Sequence, residues 1–320
     1  MIGRLSQLGG VWLGRPGFGL SASLIALVAI FAILSPEFLH IDNLVGVVHR
    51  VTTTGIMAVG MTFVIMTGGI DLTVGPVLAI SGLVAFFTFE GSASVPLSVL
   101  GAIGTGAAIG ALNGAAVAYL RLPPIIVTLA MLSIVRGTAL IVGGPILHQL
   151  PEGAGYEFIG TGFLFGVPVS VWIFLALAML TAFVQRRSAF GLEVAAVGDN
   201  ERAAFLSGRP VRLVKTLTYV ICGATAALAG LIQSSQVYTA SANFGEFGTE
   251  LDVIAAVVLG GTSLQGGRGS ILGTVMGVLF LGVVSSGLNI LDVPVDVQLI
   301  AKGLIIVGAL SARAGTQGQI

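Results

Sequence analysis

Charge is what this chain has least of. Fourteen basic and fourteen acidic residues make up 9% of its 320 residues, against roughly 25% in a soluble domain. Hydrophobic residues reach 55%, a surplus that implies an integral membrane protein. The net charge is zero and no basic face remains once one polar loop is set aside, which argues against a nucleic-acid partner. Cysteine is almost missing: Cys222 stands alone in an apolar run, so neither an intrachain disulfide nor a cysteine-based metal site can form. His40, His49 and His148 are scattered without HExxH spacing, and no metal site is expected. There is no GxxxxGK signature, no nucleophile elbow and no paired-carboxylate arrangement, so no catalytic residues and no cofactor are expected, and ATP cannot be bound by a P-loop.

Glycine, by contrast, is abundant at 47 residues, and long apolar runs fill most of the chain. Each transmembrane helix needs ~20 apolar residues. The expected fold class is therefore all-α: a polytopic membrane protein of about ten transmembrane helices with glycine-rich helix breaks, residues 1–320 forming a single domain. The expected crossings are 18–34, 44–66, 76–89, 95–120, 125–142, 163–184, 216–236, 253–259, 271–291 and 297–310, the eighth being too short for a full crossing. The N-terminal run is read as an uncleaved span, because SPEF after it is a poor cleavage site. Ala102, Gly106, Gly110 and Gly114 recur every four positions, as do Gly273 and Gly277, which puts small residues on faces where another backbone can approach closely.

Residues 185–215 are the one long polar run. They hold six of the fourteen basic residues, Arg186, Arg187, Arg202, Arg209, Arg212 and Lys215. Short loops rich in Lys and Arg stay on the cytoplasmic side of a bilayer, so this loop is expected inside, with both termini. Within it, Asp199 or Asn200 can N-cap a short helix over 201–207, Gly208 can take the left-handed conformation after it, and Pro210 prevents continuation. Two turns are marginal alone, and the helix presents Ala203, Ala204, Phe205 and Leu206. It should be docked on something.

The run TGGIDLTVGP, residues 67–76, breaks the second span, and a second glycine-rich break, GGTSLQGGRGS, follows the short apolar run at 253–259. The two breaks look alike, which hints at an internal duplication. Asp71 reads as the only acid inside the membrane. An ionisable group and irregular backbone at that depth must face protein or water, which places the break at a translocation pathway or at a helix junction beside it. Equally, Asp71 can cap the helix that begins near Thr73. Arg136 and Lys302 are expected to snorkel or to pair with helix-end carbonyls.

The segments VGMTFVIMTGGIDLTVGPVLAISG, LPPIIVTLAMLSIVRG, AVGDNERAAFLSG with YVICGATAALAG, and ELDVIAAVVLGGTSLQGGRGSILGT together resemble the permease subunits of bacterial ABC importers for monosaccharides of the ribose and xylose type, and more distantly the branched-chain amino-acid permeases. The resemblance covers residues 40–310. It implies a multi-pass chain of the bacterial inner membrane, paired with a second copy or a paralogue and surrounded by membrane lipid. A periplasmic sugar-binding protein would dock outside and a separate ABC ATPase subunit inside. Carried onto this chain, it implies that Gly198, Asp199, Asn200, Ala203, Ala204, Ser207 and Gly208 contact the ATPase, and that Gly68, Gly69, Asp71, Thr73 and Gly75 lie near the substrate pathway. Glu193 stands where the family commonly has a basic residue, and Asp199 and the Arg209-Pro210 pair replace commoner types. The alternatives are an ion-coupled secondary sugar carrier and an ABC permease for branched-chain amino acids or another small solute.

Overall fold

The computed structural model describes residues 18–150, 155–245 and 248–317 of the chain. The expected inside position of the N-terminus, and Glu152 and Glu246 of the acidic loops, lie outside the described residues. In chain order the elements are α1 (Phe18–Leu34), a 3-10 turn (Pro36–Leu39), α2 (Ile41–Met66), α3 (Val74–Ser92), α4 (Val95–Ala118), α5 (Pro124–Gly143), β1 (His148–Gln149), α6 (Phe158–Thr161), β2 (Phe163–Leu164), β3 (Val167–Pro168), α7 (Val169–Arg187), α8 (Ala189–Asp199), α9 (Glu201–Leu206), α10 (Val211–Gln236), β4 (Thr239–Ala240), α11 (Thr249–Leu259), α12 (Ile271–Ile290) and α13 (Val295–Gln317). Prolines start α4 and α5 in their first turns, where the missing N–H costs nothing.

Seven of these helices, α2, α3, α4, α5, α7, α10 and α12, are long and apolar enough to cross a membrane. The chain is thus an all-α, multi-pass membrane protein. The expected count of about ten is not reached by length and composition among the described residues. Of the three other expected crossings, α1 has 17 residues, α11 has 11, and α13 carries Asp296, Lys302 and Arg313 along its 23.

Helix α10 is the central post, packed on α4, α2 and α3. Its contact with α4 is backbone on backbone: a Cβ added at Gly106, Gly110 or Gly114 would collide with Gly223, Tyr219 or Thr216 respectively. Gly273 and Gly277 of α12 meet the backbone of Gly260 and Ala256 in the same way. Both stripes read from the sequence are therefore helix–helix contacts.

One end of the bundle gathers Arg121, Arg186, Arg187, Arg202, Arg209, Arg212, Lys215 and Arg268, on the last turn of α7, on the connections that follow α4, α7 and α11 and at the start of α10. The opposite end carries Glu37, Asp42, Glu90 and Glu157. There, two-residue ladders tie the connections: β1 pairs β4, and β2 and β3 form a hairpin through Phe165 and Gly166, both at positive φ. Tyr156 is buried at that end and bonds Ser234 Oγ at 2.6 Å, and burial pushes its hydroxyl up to about 12.

Candidate functional site

At the basic end the polar loop holds two helices where one was expected. Ser188 caps α8 by accepting from Gly191 N at 3.1 Å, and its Val194 and Val197 are buried. This helix ends at Asp199, so the N-cap of α9 falls to Asn200, whose Oδ1 accepts from Ala203 N at 2.9 Å. Gly208 (φ +76) closes α9: Gly208 N donates to Phe205 O and Arg209 N to Ala204 O, a Schellman motif. Lys215 reaches back to Glu201 at 2.7 Å.

The residues expected at an ATPase contact divide by face. Ala204 is 5% exposed and packs into the bundle. Gly198 lies against Met66 O and Gly267 N with no room for a Cβ, so it serves packing within the chain. Asp199, Asn200, Ala203, Ser207 and Gly208 are exposed. Beside them Phe205 and Leu206 stand 65% and 77% exposed, two large apolar side chains at the most polar end of the molecule.

The two glycine-rich breaks meet at this same end and are the same local device. After α2, Gly68 N donates to Ile65 O and Gly69 N to Val64 O; after α11, Gly261 N donates to Val258 O and Thr262 N to Val257 O. Each is a Schellman closure with glycine in the left-handed position, Gly68 at φ +76 and Gly261 at φ +101. That shared cap accounts for the likeness of the two sequences. The breaks also touch, since Gly267 N donates to Met66 O at 2.9 Å.

A second cluster lies deeper. Helix α11 ends at the basic-end break, and its 11 residues rise only about 16 Å, so its start lies partway through the bundle. There Gly75, in the first turn of α3, packs against Gly245 O and the Glu250 carboxylate. Arg136 stands about 18 Å along α5 and donates to Ala242 O (2.6 Å), Phe244 O (2.8 Å) and Gly245 O (2.8 Å). The chain after β4 therefore dips into the bundle. A planar guanidinium with five donors suits three carbonyls in a way a single ammonium does not. Asp252, on the same first turn of α11, pairs with Lys302 of α13 at 3.2 Å. Thus Arg136 does pair with carbonyls, though of a loop, and Lys302 with a carboxylate.

Asp71 sits in the turn between α2 and α3. It is fully buried, and its Oδ1 accepts from Thr73 N at 2.9 Å and Thr73 Oγ1 at 2.6 Å. Asn113 Nδ2 donates to Thr73 Oγ1 at 3.0 Å. This is a turn that launches α3, walled in by α4 and α10. Gly69, Thr73 and Gly75 are buried with it, Gly69 under the Tyr219 hydroxyl, and only Gly68 of the five is exposed. Nor is Asp71 the lone acid at depth, since Glu250 and Asp252 join it. Asp71→Ala should therefore lower thermal stability in detergent by about 2 kcal/mol, the scale of orphaning a buried amide and its neighbours, while uptake per folded molecule stays near wild type. Undiminished stability with lost uptake would instead put Asp71 in the pathway.

Residues 43–310 match the family described as branched-chain amino acid transport system / permease component. The chain is 40% identical over 291 residues to the ribose import permease protein of Escherichia coli (strain K12), covering 90% of both. It is 43% identical over 295 residues to the ribose import permease protein of Bacillus subtilis (strain 168), covering 90% of this chain and 89% of the relative. With the L-arabinose ABC transporter permease protein of Azospirillum brasilense it shares 35% over 302 residues, 94% of this chain and 88% of the relative. No solved structure matches the chain. A match that runs through both broken helices, the dipping loop and α9 leaves one assignment: this chain belongs to the branched-chain amino acid transport system / permease component family.

Proposed function

We propose that the chain is the membrane-embedded permease subunit of an ATP-driven importer that carries a monosaccharide, a pentose or hexose, across the bacterial inner membrane by alternating access. It works as a single transmembrane domain crossing about ten times, with α11 completing its passage through the dipping loop, and with both termini and the coupling loop 185–215 in the cytoplasm. The gathering of basic residues at one end supports that orientation. ATP is hydrolysed in a separate ABC ATPase subunit below, a periplasmic sugar-binding protein delivers the substrate above, and a second permease copy or a paralogue completes the core.

The observation that carries the reading is α9: a two-turn helix, capped at both ends, pinned through Ala204 and Lys215, and holding Phe205 and Leu206 outward. The ATPase covers those two side chains, and its closure pushes α9. The sugar passes on the side of the first turn of α11, where Asn243 is exposed and Glu250 and the Asp252–Lys302 pair are partly so, because lipid tails do not solvate such groups. Gly68, Gly69, Asp71, Thr73 and Gly75 form the wall behind that turn.

Replacing Phe205 and Leu206 together by aspartate should leave folding intact and weaken co-purification of the ATPase at least about tenfold, since each loses a buried apolar contact worth more than ~1.4 kcal/mol. Co-purification at wild-type yield would remove α9 from the contact. Uptake by the permease alone in liposomes, driven by an ion gradient, would replace the importer with an ion-coupled carrier.

A further inference from the structure

Gln185, in the last turn of α7, joins the two breaks to the start of the segment that leads through α8 to α9. Its Nε2 donates to Gly269 O at 2.9 Å and lies 3.2 Å from Met66 Sδ, and its Oε1 accepts from Ile271 N at 3.0 Å. One side chain thus holds the end of α2 and the start of α12, and it satisfies a first-turn amide of α12 that has no partner within its own helix. Ser188, three residues on, caps α8, and α8 returns to the same place: Gly198 is wedged against Met66 O and Gly267 N. The link is therefore double, a polar bond at the start of the coupling segment and a backbone contact just before α9.

We propose that Gln185 is a positioning residue for transport, rigidly tying the coupling segment to both glycine-rich breaks so that displacement of α9 moves the end of α2 and the start of α12 as one body. This rests on the reading of α9 as the ATPase contact. Packed contacts switch between discrete arrangements and do not compress. With the amide bonds cut, the Gly198 contact alone is left to carry the breaks along with α8 and α9, the link loses its rigidity, and more ATP is hydrolysed for each sugar moved.

The test uses the full complex of permease, ATPase and sugar-binding protein in proteoliposomes, reading ribose uptake and ATP hydrolysis together for Gln185→Leu, which removes the amide at similar volume, and Gln185→Glu, which keeps the acceptor for Ile271 N and loses the donor to Gly269 O. Gln185→Leu should co-purify with its ATPase at wild-type yield and raise the ATP used per sugar about tenfold, within the usual range of coupling between sites, with Gln185→Glu in between. An unchanged ratio, whether both rates stay normal or fall together, overturns the proposal. Should Gln185→Leu not assemble, the same ratio for Gln185→Glu decides. A wild-type complex that neither binds its ATPase nor imports with ATP would sink the importer reading itself, a result that differs from a coupled wild type with coupled variants.

Discussion

Arg136→Ala should all but abolish uptake. The guanidinium donates to the carbonyls of Ala242 and Gly245, and Phe244 O shares it. Taking it away leaves three carbonyls facing low-dielectric surroundings and removes the positive charge beside Glu250. Removing one side of a buried charged pair costs 3–5 kcal/mol. Arg136 is only half-buried, so the lower end, about 3 kcal/mol, applies, and at 1.4 kcal/mol per decade the dipped loop loses about a hundredfold in population. Uptake measured per folded molecule should fall by a similar factor, and a cysteine at Asn243 should change its labelling rate as the loop leaves its place. Arg136→Lys should restore a minor part, because one ammonium cannot span three carbonyls in a fixed fork. Near-normal uptake by Arg136→Ala would show that the loop is held by something else.

The parts of this molecule legible in its sequence were those set by local rules. Glycine after an apolar run announced both breaks, and the αL position of Gly208 followed from Asn200, the short helix and Pro210. The four-residue spacing of small residues announced the α4–α10 contact. Helix α8 was missed because Glu193 and the flanking arginines made 185–200 read as polar loop, whereas Val194 and Val197 are buried beneath it. The depth of Asp71 was legible, but not its enclosure: that depends on Asn113 and Tyr219, more than 40 and 140 positions away. The deeper cluster was hidden by the same non-locality. Two signals were nonetheless present. Arg136 in an apolar span required acceptors, and Glu250 and Asp252 sat immediately before a run too short to cross. A run of 11 residues that ends at one face must begin inside, and its acids begin there with it.

Gly110→Val tests the other large effect, and it is a matter of shape alone. On α4, Gly110 and Gly104 are both helical glycines six residues apart, and composition does not distinguish them. At Gly104 an added Cβ meets nothing within 4 Å, whereas at Gly110 it runs into the carbonyl of Tyr219 and the Cα of Val220. Backbone of a central helix cannot step aside as a flexible side chain does, so a β-branched residue there must push α4 off α10. Overpacking typically costs 1–3 kcal/mol, and here, with a post helix that also bears α2 and α3, the upper figure of about 3 kcal/mol is expected. Gly110→Val should lose most monodisperse protein on mild heating in detergent, with Gly110→Ala less affected. Gly104→Ala should be neutral or gain up to about 1 kcal/mol from helix propensity. Equal tolerance at both positions would mean that the stripe of Gly106, Gly110 and Gly114 is not the seam on which α4 and α10 close.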